Sequence, residues 1–506
     1  MSRREPPAGA PDVSALESRT AGGRVIRGGA LLTAGYLAGT VLAAVASVFL
    51  LRYLGVEDFG RYIVVMSIVA IVSGVTDVGL TIVGQREYAT VTQPGARRRL
   101  IANIAGIRLA LTPLGVLAGA IFAVVAGYES NLVAGVLLAG AGLVLVNTAA
   151  TYTVPLTVDL RFGATTAVQV SKQVALVVGI GALVAAAGSL TTFFAVHIAA
   201  GLVMLVAAVA LTGRGQAPGP SFALREWLPL LRQTAPVAVA LIVNVVYVRM
   251  LVIMTSLLVD AAETGLFATS YRVVEVFVGV PAFMVGAAFP LMAHAAASDR
   301  DRLAYVLQRL AEVGLLASLG LALLLAFAAE PVIEVLGGSE YSGASTVLAI
   351  QAFALIGAFM TQVWVQALVS IHRQRALVLG NAVALVTVVV LGLLLIPPYE
   401  AHGAAVAAVV GEVVLAGAYL IMLARADAAL RPQLGFVPKL AAAAGVGAGL
   451  ALALGPPPLL AAALAGAAYL AVAFALRAIP VEVFQAFAAR RAAPLGEPDP
   501  QKRSRR

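Results

Sequence analysis

Charged side chains interrupt several long apolar stretches of this 506-residue chain: Asp77, Arg108, Lys172, Arg249, Arg272, Glu275 and Glu412. A charge at the centre of a bilayer costs about 2.5–3.5 kcal/mol on insertion scales, so each needs water, a partner or a ligand. Arg249 and Arg272 fall at similar depth, about 10–12 Å from the same end of consecutive apolar runs at the rise of an α-helix. Two guanidinium forks at one level suit an anionic ligand, because they bind phosphate through paired hydrogen bonds. Lys172 and Arg108, each about 10 Å from the opposite surface, extend the cationic set, and Arg52 joins it at the end of the first run. A plainer account exists for several of them. Arg108 and Lys172 can snorkel to the interface, and Arg272 can pair with Glu275 at the i,i+3 spacing. Glu275, Glu412 and Asp77 are candidate sites for coupling to H+ or Na+, with a silent hydrogen-bonded acid as the alternative.

Other chemistries find little support. Lys172, Lys439 and Lys502 each follow a residue other than glycine, so no phosphate-binding GxxxxGK loop exists. The four histidines, His197, His294, His372 and His402, lie far apart in the chain and form no metal-binding motif. Cysteine is absent, which removes disulfides, thiolate nucleophiles and cysteine zinc sites. No cofactor is expected. The acidic pair Glu57-Asp58 could serve a membrane glycosyltransferase or polymerase, but the elbow Arg52–Arg61 is too short to build a catalytic surface. Capping the helix that follows is the better use of these acids, and the chain is read as no enzyme.

The elements that must hold these charges are membrane helices. With 61% hydrophobic and 12% charged residues, the composition lies far from that of soluble domains. Apolar runs of helix-spanning length fall near 28–51, 62–83, 101–126, 132–153, 166–187, 192–212, 233–257, 265–290, 306–328, 345–370, 376–396, 403–424, 437–455 and 459–478. Runs this long fit helices, not the short alternating strands of a barrel. The fold class is therefore an all-α polytopic membrane protein of about fourteen transmembrane helices.

Orientation follows from the arginines. An N-terminus in the cytoplasm puts Arg86, Arg97, Arg98, Arg99, Arg161, Arg214, Arg225, Arg232, Arg300, Arg302, Arg309, Arg373, Arg375, Arg425, Arg431 and Lys439 in or beside cytoplasmic turns. The external turns then hold only Arg52 and Arg61 and collect acids such as Glu57, Asp58, Glu129, Asp260, Glu263, Glu340 and Glu400. This alternation obeys the positive-inside rule, supports an even span count and puts both ends in the cytoplasm. The net charge of +9 thus belongs to a membrane surface, and no nucleic-acid partner is expected.

A faint repeat links LLRYLGVEDFGRY, at the first junction, to LLVDAAETGLFATSYR, six spans later. An even offset relates the halves by an axis along the membrane normal, with a cavity expected between them. The expected organisation is a disordered tail over 1–27, a first bundle over 28–212, an interfacial linker over 213–232, a second bundle over 233–424, an appended helix pair over 425–478 and a basic tail over 479–506. Ser221–Gln233 and Val481–Arg491 read either as polar elbows between spans or as stretches lying along the inner leaflet.

Residues 50–89 carry a resemblance. Arg52-Tyr53-Leu54-Gly55, Glu57-Asp58-Phe59-Gly60, Tyr62, Asp77-Val78-Gly79-Leu80 and Arg86-Glu87 resemble the opening of bacterial polysaccharide-export flippases of the multidrug/oligosaccharidyl-lipid/polysaccharide superfamily. The resemblance implies two six-helix bundles in a V around a cationic cavity, in the bacterial cytoplasmic (inner) membrane. It implies alternating access that carries a polyprenyl-pyrophosphate-linked oligosaccharide, an anionic glycolipid, to the external leaflet. Membrane lipids and polysaccharide assembly enzymes are the expected partners. Lipid II flippases and ion-coupled multidrug exporters of the same superfamily are the alternatives, and a drug or small-cation exporter would want acids to dominate the cavity.

Overall fold

The computed structural model describes residues 19–213 and 217–479, and every regular element among them is helical. The stretch Val481–Arg491 and most of both tails lie outside the described residues. The elements are α1 (Arg19–Asp77), α2 (Leu80–Thr90), α3 (Pro94–Val125), α4 (Ser130–Val158), α5 (Phe162–Ala185), α6 (Leu190–Thr212) and α7 (Leu224–Leu258). They continue with α8 (Ala261–Ser298), α9 (Arg300–Phe327), α10 (Ala329–Gly337), α11 (Gly343–Gln351), α12 (Ala354–Ser370), α13 (Gln374–Ala426), α14 (Phe436–Leu454) and α15 (Pro458–Ala475).

Among the described residues, twelve helical segments are long and apolar enough to cross a membrane. Two of them, one holding α1 and one formed by α13, are about twice the length of a span and hold a break, so all fourteen expected spans are present. The elbow read at Arg52–Arg61 shrinks to one residue, Gly55 at φ 72°, because a glycine can turn the chain there without steric cost. The break in α13 falls at Glu400, after Pro397 and Pro398, which lack the amide hydrogens that would continue the helix. The amide of Ala401 is satisfied instead by Oε2 of Glu263 at 3.2 Å. The second span also breaks, at Val78 and Gly79, both at positive φ. The first helix starts at Arg19 among the described residues, ahead of the expected start at residue 28.

Packing sorts the chain into two compact units. One holds the chain through Arg272 with Ile333–Ala344 and Val388–Ala407, and the other holds the remainder. In the first unit α3 lies on α1 through Gly115 and Gly119, which face Val72, Thr76 and Ile68. Gly35 and Gly39 bring α1 onto Thr166 and Gln173 of α5. These are the close contacts that small residues permit where lipid supplies no hydrophobic drive. The last part of the expected interfacial linker, from Leu224, runs directly into a span as the single helix α7. Its start is fixed to the first bundle: the Ser221 amide donates to the Ala102 carbonyl at 2.8 Å and Tyr152 donates to that of Pro218 at 2.9 Å. Trp227 is buried against Leu80, Ile104 and Ile107, while Phe222, Leu224 and Leu228 stay exposed. That split suits a helix start lying at a membrane surface.

The two repeated junctions meet in this unit. A methyl group on Gly60 would stand 2.5 Å from the Ala261 carbonyl oxygen and 2.8 Å from the Gly265 nitrogen, both backbone atoms that cannot swing aside. Gly60→Ala is therefore expected to lower stability by about 1–3 kcal/mol, read as a fall in the thermal midpoint of the purified protein.

In the second unit α9 packs on α12, α14 and α15. Tyr469 donates to the Leu316 carbonyl at 2.9 Å, and Gly447 allows α14 to approach the Ala465 carbonyl of α15. Asn381 donates to the Tyr419 hydroxyl at 2.9 Å, and Arg300 pairs with Asp427 at 3.2 Å.

Candidate functional site

The motif residues form a joint. Tyr341 donates to the Leu51 carbonyl at 2.9 Å, and Arg52 donates to that of Val335 at 2.8 Å, both beside the Gly55 break. Burial, reinforced by the neighbouring Glu340, pushes the Tyr341 phenol upward and keeps it a neutral donor. Tyr53 donates to the Gly188 carbonyl at 2.8 Å, and Phe59 meets Tyr341 edge to face. Arg61 bridges Asp58 at 2.9 Å, Glu57 at 3.4 Å and Glu129 at 3.5 Å. Arg52 thus serves the joint through its hydrogen bond to the last turns of α10.

Arg108 and Asp77 meet each other. Arg108 is only 1% exposed, pairs with Asp77, and also donates to Thr81 at 2.6 Å, Thr151 at 3.1 Å and the Asn147 carbonyl at 3.1 Å. Thr81 donates to Asp77 at 2.7 Å, and Asn147 reaches Thr112 at 3.2 Å. This network spans the break between α1 and α2. The snorkelling route considered for Arg108 is not taken, because a carboxylate on the adjacent span is nearer than the surface.

A second group of cations is arranged differently. Lys172 on α5 is half-buried and has no hydrogen bond or ion pair among the described residues. Its charge reaches His197 on α6, whose Nε2 lies 3.0 Å from the Tyr62 hydroxyl. Tyr62 stacks on Phe194 with ring centroids 5.5 Å apart, and lies within electrostatic reach of Arg272. The Nε of Arg272 donates to Ser47 at 3.0 Å. Arg249 stands 6.0 Å from the Tyr271 ring centroid, and Tyr271 donates to the Val248 carbonyl at 3.2 Å. Tyr62 and His197 are in direct contact, and Lys172 and Arg272 lie near them, so that four spans contribute to one basic and aromatic neighbourhood. Guanidinium and ammonium groups held against hydroxyls and rings can take up an anion by charge-assisted hydrogen bonds. Glu275 and Glu412 lie in the second unit, where Gly357 packs on the backbone and Cβ of Glu412.

The sequence reading placed neither His197 nor Tyr62 in a site. His197 counted as an isolated histidine with no motif around it, and Tyr62 only as part of a family pattern. The usable signal was a polar ring in an otherwise apolar span, one span after Lys172.

Comparison with known proteins bears on this geometry. The sequence model described as polysaccharide biosynthesis protein matches residues 25–296, more than half of the chain. The chain belongs to that family. The matched stretch holds the Arg108–Asp77 network and the Lys172–Arg272 set together. No protein of curated function matches the sequence. Among solved structures, the chain is similar to the lipid II flippase MurJ in an inward closed conformation, with 13% identity, 88% of this chain and 99% of that one covered, and a TM-score of 0.73. It is also similar to an inward-facing multidrug resistance MATE family transporter of the MOP superfamily, with 13% identity, 78% and 95% coverage and a TM-score of 0.63. A MOP superfamily transporter from Pyrococcus furiosus, described as having a binding pocket of reverse polarity, matches with 14% identity, 81% and 96% coverage and a TM-score of 0.54. The family's fold in this chain is thus that of the multidrug/oligosaccharidyl-lipid/polysaccharide transporters.

Proposed function

We propose that this chain is a flippase carrying a polyprenyl-pyrophosphate-linked oligosaccharide from the cytoplasmic to the external leaflet by alternating access. The observation that carries the reading is the basic set of Lys172 and Arg272, with His197 and Tyr62, in a member of the polysaccharide biosynthesis family. Pyrophosphate and glycan together form the head group that a membrane cannot pass unaided, and half-buried cations replace the lost hydration of the pyrophosphate. Arg249 completes the cationic lining. The prenyl tail stays in lipid, so the protein needs a polar path for the head group alone.

The membrane is the bacterial inner membrane, with both termini in the cytoplasm, a placement that the arginine distribution supports. The two six-helix halves, 28–212 and 233–424, move against each other, and the helix pair over 425–478 is an addition to them. Glu275 and Glu412 are the sites for H+ or Na+ coupling. Assembly enzymes take up the glycan once it reaches the external leaflet.

A strain lacking this gene is expected to accumulate lipid-linked glycan that an external glycosidase cannot reach in intact spheroplasts, and the restored gene is expected to clear it. Accumulation of peptidoglycan precursor instead would assign the lipid II substrate. Loss of drug efflux with normal glycan traffic would assign the exporter branch.

A further inference from the structure

The turn that joins α2 to α3 borders a cavity of about 380 Å3, lined by Tyr88, Thr92, Gly95, Arg97 and Arg98 among others. That volume falls in the range of small-ligand sites. Arg97 is held rigidly: its Nε donates to the Val91 carbonyl at 2.6 Å, its guanidinium carbon lies 4.6 Å from the Tyr88 ring centroid, and Asp159 stands 3.9 Å away. Arg98 has no hydrogen bond or ion pair among the described residues, and neither has the Thr92 hydroxyl. Glu87, the other acid nearby in sequence, is engaged by Gln233 at 2.6 Å.

We infer that this cavity binds a phosphate group. Among the lining residues, one fixed guanidinium, one exposed and adaptable guanidinium and an exposed hydroxyl make a donor set that suits a tetrahedral oxyanion. Arg86 and Arg99 raise the local positive potential further. The turn lies where the arginine distribution puts the cytoplasmic surface, and there anionic phospholipid headgroups present their phosphates to basic residues. Free phosphate offers the same chemistry. None of the lining residues belongs to the Lys172–Arg272 set, so this inference stands or falls apart from the transport reading.

The test uses the purified full-length protein in detergent, with phosphatidylglycerol or phosphatidylcholine followed by native mass spectrometry, and inorganic phosphate followed by thermal shift. Arg98→Gln removes a side chain with no partner to lose. Gly95→Glu places a carboxylate in the cavity, and a Cβ at Gly95 meets nothing within 4 Å, so the fold is expected to accept it. Phosphatidylglycerol is expected to be retained about ten-fold better than phosphatidylcholine, with both variants losing that preference. Arg431→Gln, a neutralised arginine on another turn, is expected to keep it. Stabilisation by inorganic phosphate that vanishes in both variants, without lipid retention, would support the phosphate site with a soluble source. Equal retention of the two lipids with no phosphate effect, a preference that survives both variants, or an equal loss in Arg431→Gln would each overturn it.

Discussion

Lys172→Met is expected to abolish most glycan transport while leaving the protein as stable as before, or more so. Methionine keeps the apolar stem and removes only the ammonium, so the packing of α5 is little disturbed. Because Lys172 has no hydrogen bond or ion pair among the described residues, the change breaks no structural contact and relieves the cost of a half-buried charge. A charge-assisted contact to phosphate contributes about 1.5–3 kcal/mol, so its loss slows transport by about ten- to a hundred-fold. Arg272→Gln is expected to show a similar loss, and the two together more than either. Lys172→Arg, which restores the charge, is expected to recover part of the rate. The measurement is the rate at which a labelled polyprenyl-pyrophosphate saccharide becomes accessible in proteoliposomes, beside the thermal midpoint of each variant. Full transport by Lys172→Met would remove this residue from the substrate path, and a collapse of its midpoint would assign it a structural role.

How much of this was legible in the sequence depends on what the bilayer demands. Span positions were legible because every stretch in hydrocarbon must be both long and apolar. The junctions were less so. At Gly55 and at Glu400 the helix changes direction within one residue, and neither composition nor length separates that from a loop. The pairing of Asp77 with Arg108 has a readable signal: both lie about 10 Å from the turn their spans share, counted at the helical rise. Opposite charges at one depth on neighbouring spans are partners before they are ligands. The link from Lys172 to His197 had no such signal. Counting from span ends puts their backbones at different depths, and only the long lysine side chain carries its charge towards the ring. The motif around Arg52 and Phe59 marked the family, yet its residues hold a joint whose other half, Val335 and Tyr341, lies nearly three hundred residues on, beyond the reach of local pattern.

The buried network at the α1–α2 break gives the second large effect, on stability. Arg108→Met is expected to destabilise the protein by about 3–5 kcal/mol, because it leaves Asp77 charged without its counterion. Asp77→Asn is expected to cost a similar amount, since a guanidinium only 1% exposed would then face amides and hydroxyls alone. The double variant Asp77→Asn/Arg108→Met removes both charges, and a neutral pair in that space carries little of the desolvation cost. It is expected to be more stable than either single variant, so that the coupling energy in a double-mutant cycle on the thermal midpoint exceeds the larger of the two single losses. Recovery of transport should accompany recovery of stability, because the network fixes the geometry of a helix break and is built from groups other than Lys172 and Arg272. An arginine that bound the travelling phosphate would behave in the opposite way: Arg108→Met would stay folded, transport would fail, and Asp77→Asn could not restore it.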